Sequence, residues 1–300
     1  TGRVTFMTRL RLTQNDPLEV TRQLYRQAVS LKSPRDLQPL LAFFTRFRRH
    51  SVFNTALIHV QRPAATLLAS AVQWARLERE VTNGAPPVIV LAPFGPVQFL
   101  FDEIDTTGRA LTDGERTALL APGPAPRANW DQSVAGAMTL GVAVEAGQIS
   151  APEKWTLTRH EDQGRVRGEG RYISWELLVD GSLSADERFL RLTHELGHIY
   201  CGHLGRHPNG VWRSRRDLNA VELQVEAELV SSLVCARAGR AGPALDTLQK
   251  FMQTNGINSL DLGAVISAAD LVESRSAAGK SRSRPQKPGD PLPGQMAMFQ

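Results

Sequence analysis

The chain has 300 residues, 42% of them hydrophobic and 22% charged, with two cysteines and a formal net charge of +5. That composition belongs to a folded globular protein of one large or two ordinary domains. It excludes a collagen, a coiled coil, a wholly disordered chain, a disulfide scaffold and a cysteine-built zinc finger.

The opening residues Thr1-Gly2-Arg3 show no basic-then-apolar export pattern, so a reducing cytoplasm is the expected compartment. The longest apolar runs, 67–72 and 88–92, are far too short to span a bilayer, and no membrane association is expected. Residues 1–62 hold 11 Lys and Arg against 3 Asp and Glu. That basic front end points to an anionic partner.

In chain order, Leu18, Val20, Leu24, Tyr25 and Val29 predict an amphipathic helix over 17–30. Helices follow over 37–47, 51–61 (stopped by Pro63) and 65–77. Asn83-Gly84 is a turn, and 88–92 and 97–101 read as two strands joined through Pro93-Phe94-Gly95-Pro96. The Gly- and Pro-rich stretch 112–129 reads as a linker between domains. Beyond it lie an apolar segment over 135–144, a strand over 171–179 and a helix over 184–200 capped by Ser182 or Ser184. A long helix over 218–238 is closed by Gly239, and a shorter one covers 243–254. From Glu273 the composition shifts to Ser, Arg, Lys, Pro and Gly, the mark of a disordered tail.

The most specific motif is His194-Glu195-Leu196-Gly197-His198, which fits H-E-x-x-H. Histidines at i and i+4 share one helix face, so both can ligate one Zn²⁺, and Glu195 is placed to take a proton from metal-bound water. Cys201 and Leu204 stand where the metzincin extension needs Gly and His, which excludes that class. His203 and His207 fall beyond the helix end and are expected to be solvated. The third ligand is expected from Glu222, Glu226 or Glu228, carboxylates on an otherwise apolar helix. Glu226 is chosen as ligand, with Glu222 and Glu228 supporting the site.

With its downstream Glu-Ala-Glu helix, this motif resembles the ImmA/IrrE group of zinc metallopeptidases over roughly 130–270. The resemblance implies a gluzincin-like site and an edge strand along the cleft, here 172–179, able to bind an extended peptide. Many relatives carry Glu four residues before the last acid of the second motif; this chain has Gln224.

Ser51, Asn54, Gln61, Pro63, Thr66, Trp74 and the run 88–93 resemble the N-terminal domain of ArdC-type antirestriction proteins, a single-stranded DNA-binding module. Arg46, Arg48 and Arg49 interleave with Phe43, Phe44, Phe47 and Phe53, a pattern that binds phosphates and stacks bases when it faces solvent. Arg46, Arg48, Arg49 and Asn54 are therefore the candidate nucleic-acid contacts. The terminal Gln295-Met296-Ala297-Met298-Phe299 resembles the peptide that docks replication proteins on the sliding clamp.

The expectation is an α+β chain with four parts: a smaller α+β domain over 1–111, a linker over 112–129, a mostly helical zincin domain with a small sheet over 130–272, and a tail over 273–300. Its function is expected to be zinc-dependent endoproteolysis of a DNA-associated or regulatory protein. The alternatives are an antirestriction-type single-stranded DNA-binding protein whose zinc site is not proteolytic, and a metal hydrolase that cuts another bond.

Overall fold

The computed structural model describes residues 23–24, 26–27, 37–92, 95–121, 128–150, 154–160, 165–167, 171–257 and 260–278. The helix expected over 17–30 lies almost wholly outside them, although 23–24 and 26–27 are helical. Pro93-Phe94 and the clamp-like segment 295–299 also lie outside the described residues.

The front part is built from α1 (Gln38–Arg46), α2 (Val52–Gln61), β1 (Leu68–Ala69), α3 (Ala71–Arg76), β2 (Arg79–Val81), β3 (Val88–Ala92), β4 (Gly95–Asp102), β5 (Thr106–Gly108) and α4 (Asp113–Leu120). Strands pair antiparallel in the order β1-β4-β3, with β2 and β5 in a separate ribbon. Ser51 and Ser70 cap α2 and α3 by accepting the N–H of Asn54 and Gln73, as their positions before apolar periodic runs require.

The rest comprises α5 (Trp130–Met138), β6 (Val142–Gly147), β7 (Trp155–Arg159), β8 (Arg165–Arg167), β9 (Arg171–Ile173), β10 (Trp175–Asp180), α6 (Ala185–Tyr200), α7 (Ala220–Ala238), α8 (Leu245–Thr254) and α9 (Leu262–Ala278). The fold is α+β, with small sheets among helices, as expected. No helix among the described residues is long and apolar enough to cross a membrane.

Two expectations about boundaries are corrected, and the apolar segment takes a definite form. The apolar segment 135–144 is half helix and half strand, because Gly141 takes φ +70° and ends α5 before β6 begins. The strand over 171–179 is two strands. The Gly141 carbonyl takes the Ser174 N–H at 2.8 Å, so β9 pairs with β8 while β10 joins β6 and β7. Within the expected linker, Thr112 and Glu115 form a reciprocal capping box that starts α4.

One buried cluster joins the front helices to the rest, and a smaller one of Leu67, Ala69, Trp74 and Leu111 stands apart from it. Phe43, Phe44, Phe47, Val52, Leu57 and Ile58 from α1 and α2 share one buried cluster with Leu196, Val230, Leu233 and Ile266. Arg237 on α7 donates to the carbonyls of Phe44 (2.8 Å) and His50 (2.6 Å) and pairs with Glu273 (2.7 Å). Asp270 on α9 accepts the Phe53 N–H at the start of α2 (2.9 Å). The tail expected from Glu273 therefore starts inside α9, where Glu273 is an anchor of the core.

Candidate metal centre

Helix α6 begins at a capping box. Ser184 accepts the Glu187 N–H, and the Glu187 carboxylate accepts the Ser184 N–H (2.9 Å). Phe189, Leu192, Leu196 and Ile199 form its buried stripe. Gly197 lets α7 approach closely: a Cβ there would lie 3.0 Å from Ala227 Cα and 3.1 Å from its carbonyl oxygen. The Thr193 and Ser231 hydroxyls, 2.8 Å apart, close the same contact.

This packing puts His194 and His198 beside α7, with their Nε2 atoms 3.2 Å apart. Two imidazole nitrogens on one tetrahedral zinc at ordinary Zn–N lengths lie about 3.3 Å apart. The outer nitrogens are both occupied. His194 Nδ1 lies 2.6 Å from Glu228 Oε2, an acceptor, so it carries a proton. His198 Nδ1 lies 3.0 Å from His203 Nδ1, and His203 Nε2 lies 3.0 Å from Glu226 Oε2. Glu226 requires the proton on His203 Nε2, which leaves His203 Nδ1 to accept from His198. With both rings neutral in these tautomers, the two Nε2 atoms carry lone pairs 3.2 Å apart, a spacing that a shared cation can bridge. Burial, with His194 and His203 adding to it, pulls the His198 pKa down to about 3, so that ring is neutral and able to ligate.

Glu195 is buried. Its Oε1 lies 3.4 Å from Arg191 Nη1, and its Oε2 has no hydrogen-bond partner. Burial pushes its carboxyl above the usual range, against the pull of His194 and Arg191. An unpartnered buried carboxylate oxygen is costly.

Glu226, the expected third ligand, has partners of its own. Its carboxylate is gripped by Arg215 at 2.5 and 2.7 Å as well as by His203. Burial alone would raise its pKa, but those donors hold it below the usual range. Glu222 caps α7 with Asn219 and is spent there. Glu228 is the carboxylate next to the histidine pair, and the exposed Gln224, one turn earlier, hydrogen-bonds His198. Cys201, His203 and Glu226 also bring ligand atoms within 4.8 Å of one another. All three are buried, and Arg215 also pairs with Glu226.

His203 and His207 are buried, not solvated. His207 stacks on Trp175 and packs against Trp212. The sequence offered no signal for His203 beyond its place five residues after His198; the turn at Gly202, with φ +79°, brings it back under the helix.

A cleft of about 750 Å³ opens beside His194, Gln224 and Glu228. Leu190, Leu248 and Phe251 line its apolar wall, and Lys154 and Arg191 its polar side. The expected edge strand is corrected here. β10 is paired on both sides, and β6 and β7 are the outer strands of its sheet, with Arg191 stacked 5.6 Å over Trp155 of β7.

In the front part, Phe43, Phe44 and Phe47 are core and offer no stacking platform. Asn54 is not free for nucleic acid: its amide donates to the Leu91 carbonyl (3.0 Å) and accepts the Leu91 N–H (2.9 Å). Gln61, two turns on, does the same at Ile89, so two amides satisfy the outer edge of β3. Arg46 and Arg49 are exposed and Arg48 is half-buried. Arg46 donates to the Ala65 carbonyl and Arg49 to that of Ala118.

No family model matches the chain, and no curated protein matches it. Two solved structures of the antirestriction protein ArdC from the R388 plasmid do. The metal-free form is 13% identical over 85% of this chain and 98% of that one, with a TM-score of 0.35. The Mn(II)-bound form is 14% identical over 84% and 98%, with a TM-score of 0.34. At these scores the superposable backbone is too small to assign a shared fold.

Proposed function

We propose that the chain is a metal-dependent peptidase whose metal is held by His194 and His198, with Glu195 as general base. The observation that carries this is the 3.2 Å approach of two Nε2 atoms whose outer nitrogens are both hydrogen-bonded. Zinc suits this nitrogen pair, and when bound it would lower the pKa of a coordinated water to about 7. Glu195, with one oxygen unpartnered, accepts the proton from the attacking water and passes it to the leaving amine. Arg191 holds the other oxygen and fixes the carboxylate. The outer strand β7 offers backbone groups to an extended peptide, and the wall of Leu190, Leu248 and Phe251 accepts an apolar side chain.

The test is a peptide library incubated with zinc-loaded protein and read by mass spectrometry. Cleavage is expected for the wild type and absent for Glu195→Gln at equal metal content. Intact peptides with metal bound would overturn the peptidase reading.

A second reading is favoured by Gln224, a neutral amide where an acidic ligand would complete the site. Here the metal is structural, and the chain acts as an antirestriction-type protein that binds single-stranded DNA through Arg46, Arg48 and Arg49. Its affinity would fall steeply with salt and with charge reversal of these arginines. Persistence of the biological effect in Glu195→Gln would favour it.

A further inference from the structure

We infer that His203, Glu226 and Arg215 form a buried relay that fixes the ring of His198 and so sets the metal affinity of the histidine pair. This inference rests on the metal-site reading above. It gives Glu226 a positioning role through another residue.

The relay starts from a group with no protonation choice. Arg215 is always charged, and its two guanidinium nitrogens meet the two Glu226 oxygens at 2.5 and 2.7 Å. Glu226 Oε2 also takes the N–H of His203 Nε2 at 3.0 Å. The neutral His203 ring, with its proton on Nε2, presents a bare Nδ1 to His198 Nδ1, 3.0 Å away. His198 must then donate from Nδ1, and its lone pair falls on Nε2, on the side facing His194.

Burial makes this tautomer chain stringent. The side chains of His203 and Glu226 are 1% and 2% exposed, so water offers no substitute partner. Arg215 is itself placed by the backbone: its N–H donates to the Gly202 carbonyl at 2.9 Å. A Cβ on Gly202 would sit 2.0 Å from the Arg213 carbonyl oxygen, so only glycine lets the two strands of this loop meet. His194 is held differently, by Glu228 alone, whose side chain is 35% exposed. The two rings of one site thus have unequal support, and His198 is the rigid member.

A purely structural ion pair would stabilise the fold without caring which histidine nitrogen bears the proton. Two substitutions separate the roles. His203→Asn leaves an amide oxygen where Nδ1 stood, able to accept from His198. His203→Leu removes the acceptor. The full-length protein and both variants are titrated with Co(II), read by visible absorption, after circular dichroism has checked the metal-free fold. His203→Leu is expected to weaken Co(II) binding about 10- to 100-fold, and His203→Asn to restore most of it. Undiminished binding in His203→Leu overturns the relay alone. Failure of the wild type to bind Co(II) overturns the metal reading and the relay with it. If the leucine variant does not fold, ¹⁵N spectra of the metal-free wild type at neutral pH decide. Protons on His198 Nδ1 and His203 Nε2 are expected, and a proton on His198 Nε2 overturns the inference.

Discussion

Glu228 Oε2 lies 2.6 Å from His194 Nδ1, on the side of the ring away from the paired Nε2 atoms. Glu226, two residues earlier on α7, points to the opposite side of the site and is spent on Arg215 and His203. Substituting each with alanine should therefore fail in a different way. Glu228→Ala should leave the melting temperature nearly unchanged and weaken metal binding about 10-fold or more, since it removes only the group that orients His194. Glu226→Ala should destabilise the metal-free protein by about 2–4 kcal/mol, because it removes both short hydrogen bonds from a buried guanidinium and leaves it only Asp261 at 3.7 Å. Thermal melts and metal titrations of both variants check the pair; equal melting losses would show that Glu228 is also a structural residue.

Gln224 is exposed and its side chain reaches His198. A carboxylate is a common zinc ligand, whereas a neutral amide is not. Gln224→Glu should therefore raise zinc affinity by about 10-fold or more at little cost in stability. Competition against a chelator of known affinity measures this. An unchanged affinity would mean that Gln224 does not face the metal position.

Much of this was legible in the sequence because it is local. The H-E-x-x-H spacing fixes two histidines on one face of α6, and Ser184 and Gly239 mark helix ends through capping that depends on neighbours a few residues away. What was not legible depends on partners far along the chain. Glu226 and Glu228 differ by two positions on one helix, and their roles are decided by Arg215 and His203 on one side and His194 on the other. The arginine–phenylalanine alternation at 43–49 suggested a surface, but the phenylalanines are buried in the shared core, leaving Arg46 and Arg49 exposed and Arg48 half-buried. Asn54 read as a contact residue, and its use to satisfy β3 rests on a strand 37 positions away.

Gly197 sits where α6 and α7 come closest. Gly197→Ala puts a methyl 3.0 Å from Ala227 Cα and 3.2 Å from Val230 Cβ. Helix propensity alone favours alanine by about 1 kcal/mol, but overpacking against backbone costs about 1–3 kcal/mol. The net expectation is a modest loss of stability with a larger loss of metal affinity, because the helices must part and Glu228 withdraws from His194. A stabilised variant with full metal affinity would contradict the close approach.

His207 gives a pH dependence whose sign is fixed by its surroundings. Its ring is stacked on Trp175 and packed against Trp212, its Nδ1 accepts the Asn209 N–H at 3.1 Å, and it hydrogen-bonds the Leu140 backbone. Both nitrogens are satisfied in the neutral ring, and protonation would set Nδ1–H against the Asn209 N–H. Burial accordingly pulls its pKa from 6.5 down to about 4. Between those values the unfolded chain binds a proton that the folded one does not, so stability rises with pH across this window. Full stability is present above pH 6.5 and is lost progressively as pH falls towards 4, by on the order of 2–3 kcal/mol from this residue. His50, pulled to about 4 chiefly by burial, adds to the slope in the same sense. Urea unfolding of wild type and His207→Gln at pH 7 and pH 4.5 measures the effect. The variant should be less stable than wild type at pH 7 and should lose less on acidification; parallel losses in both proteins would place the slope elsewhere.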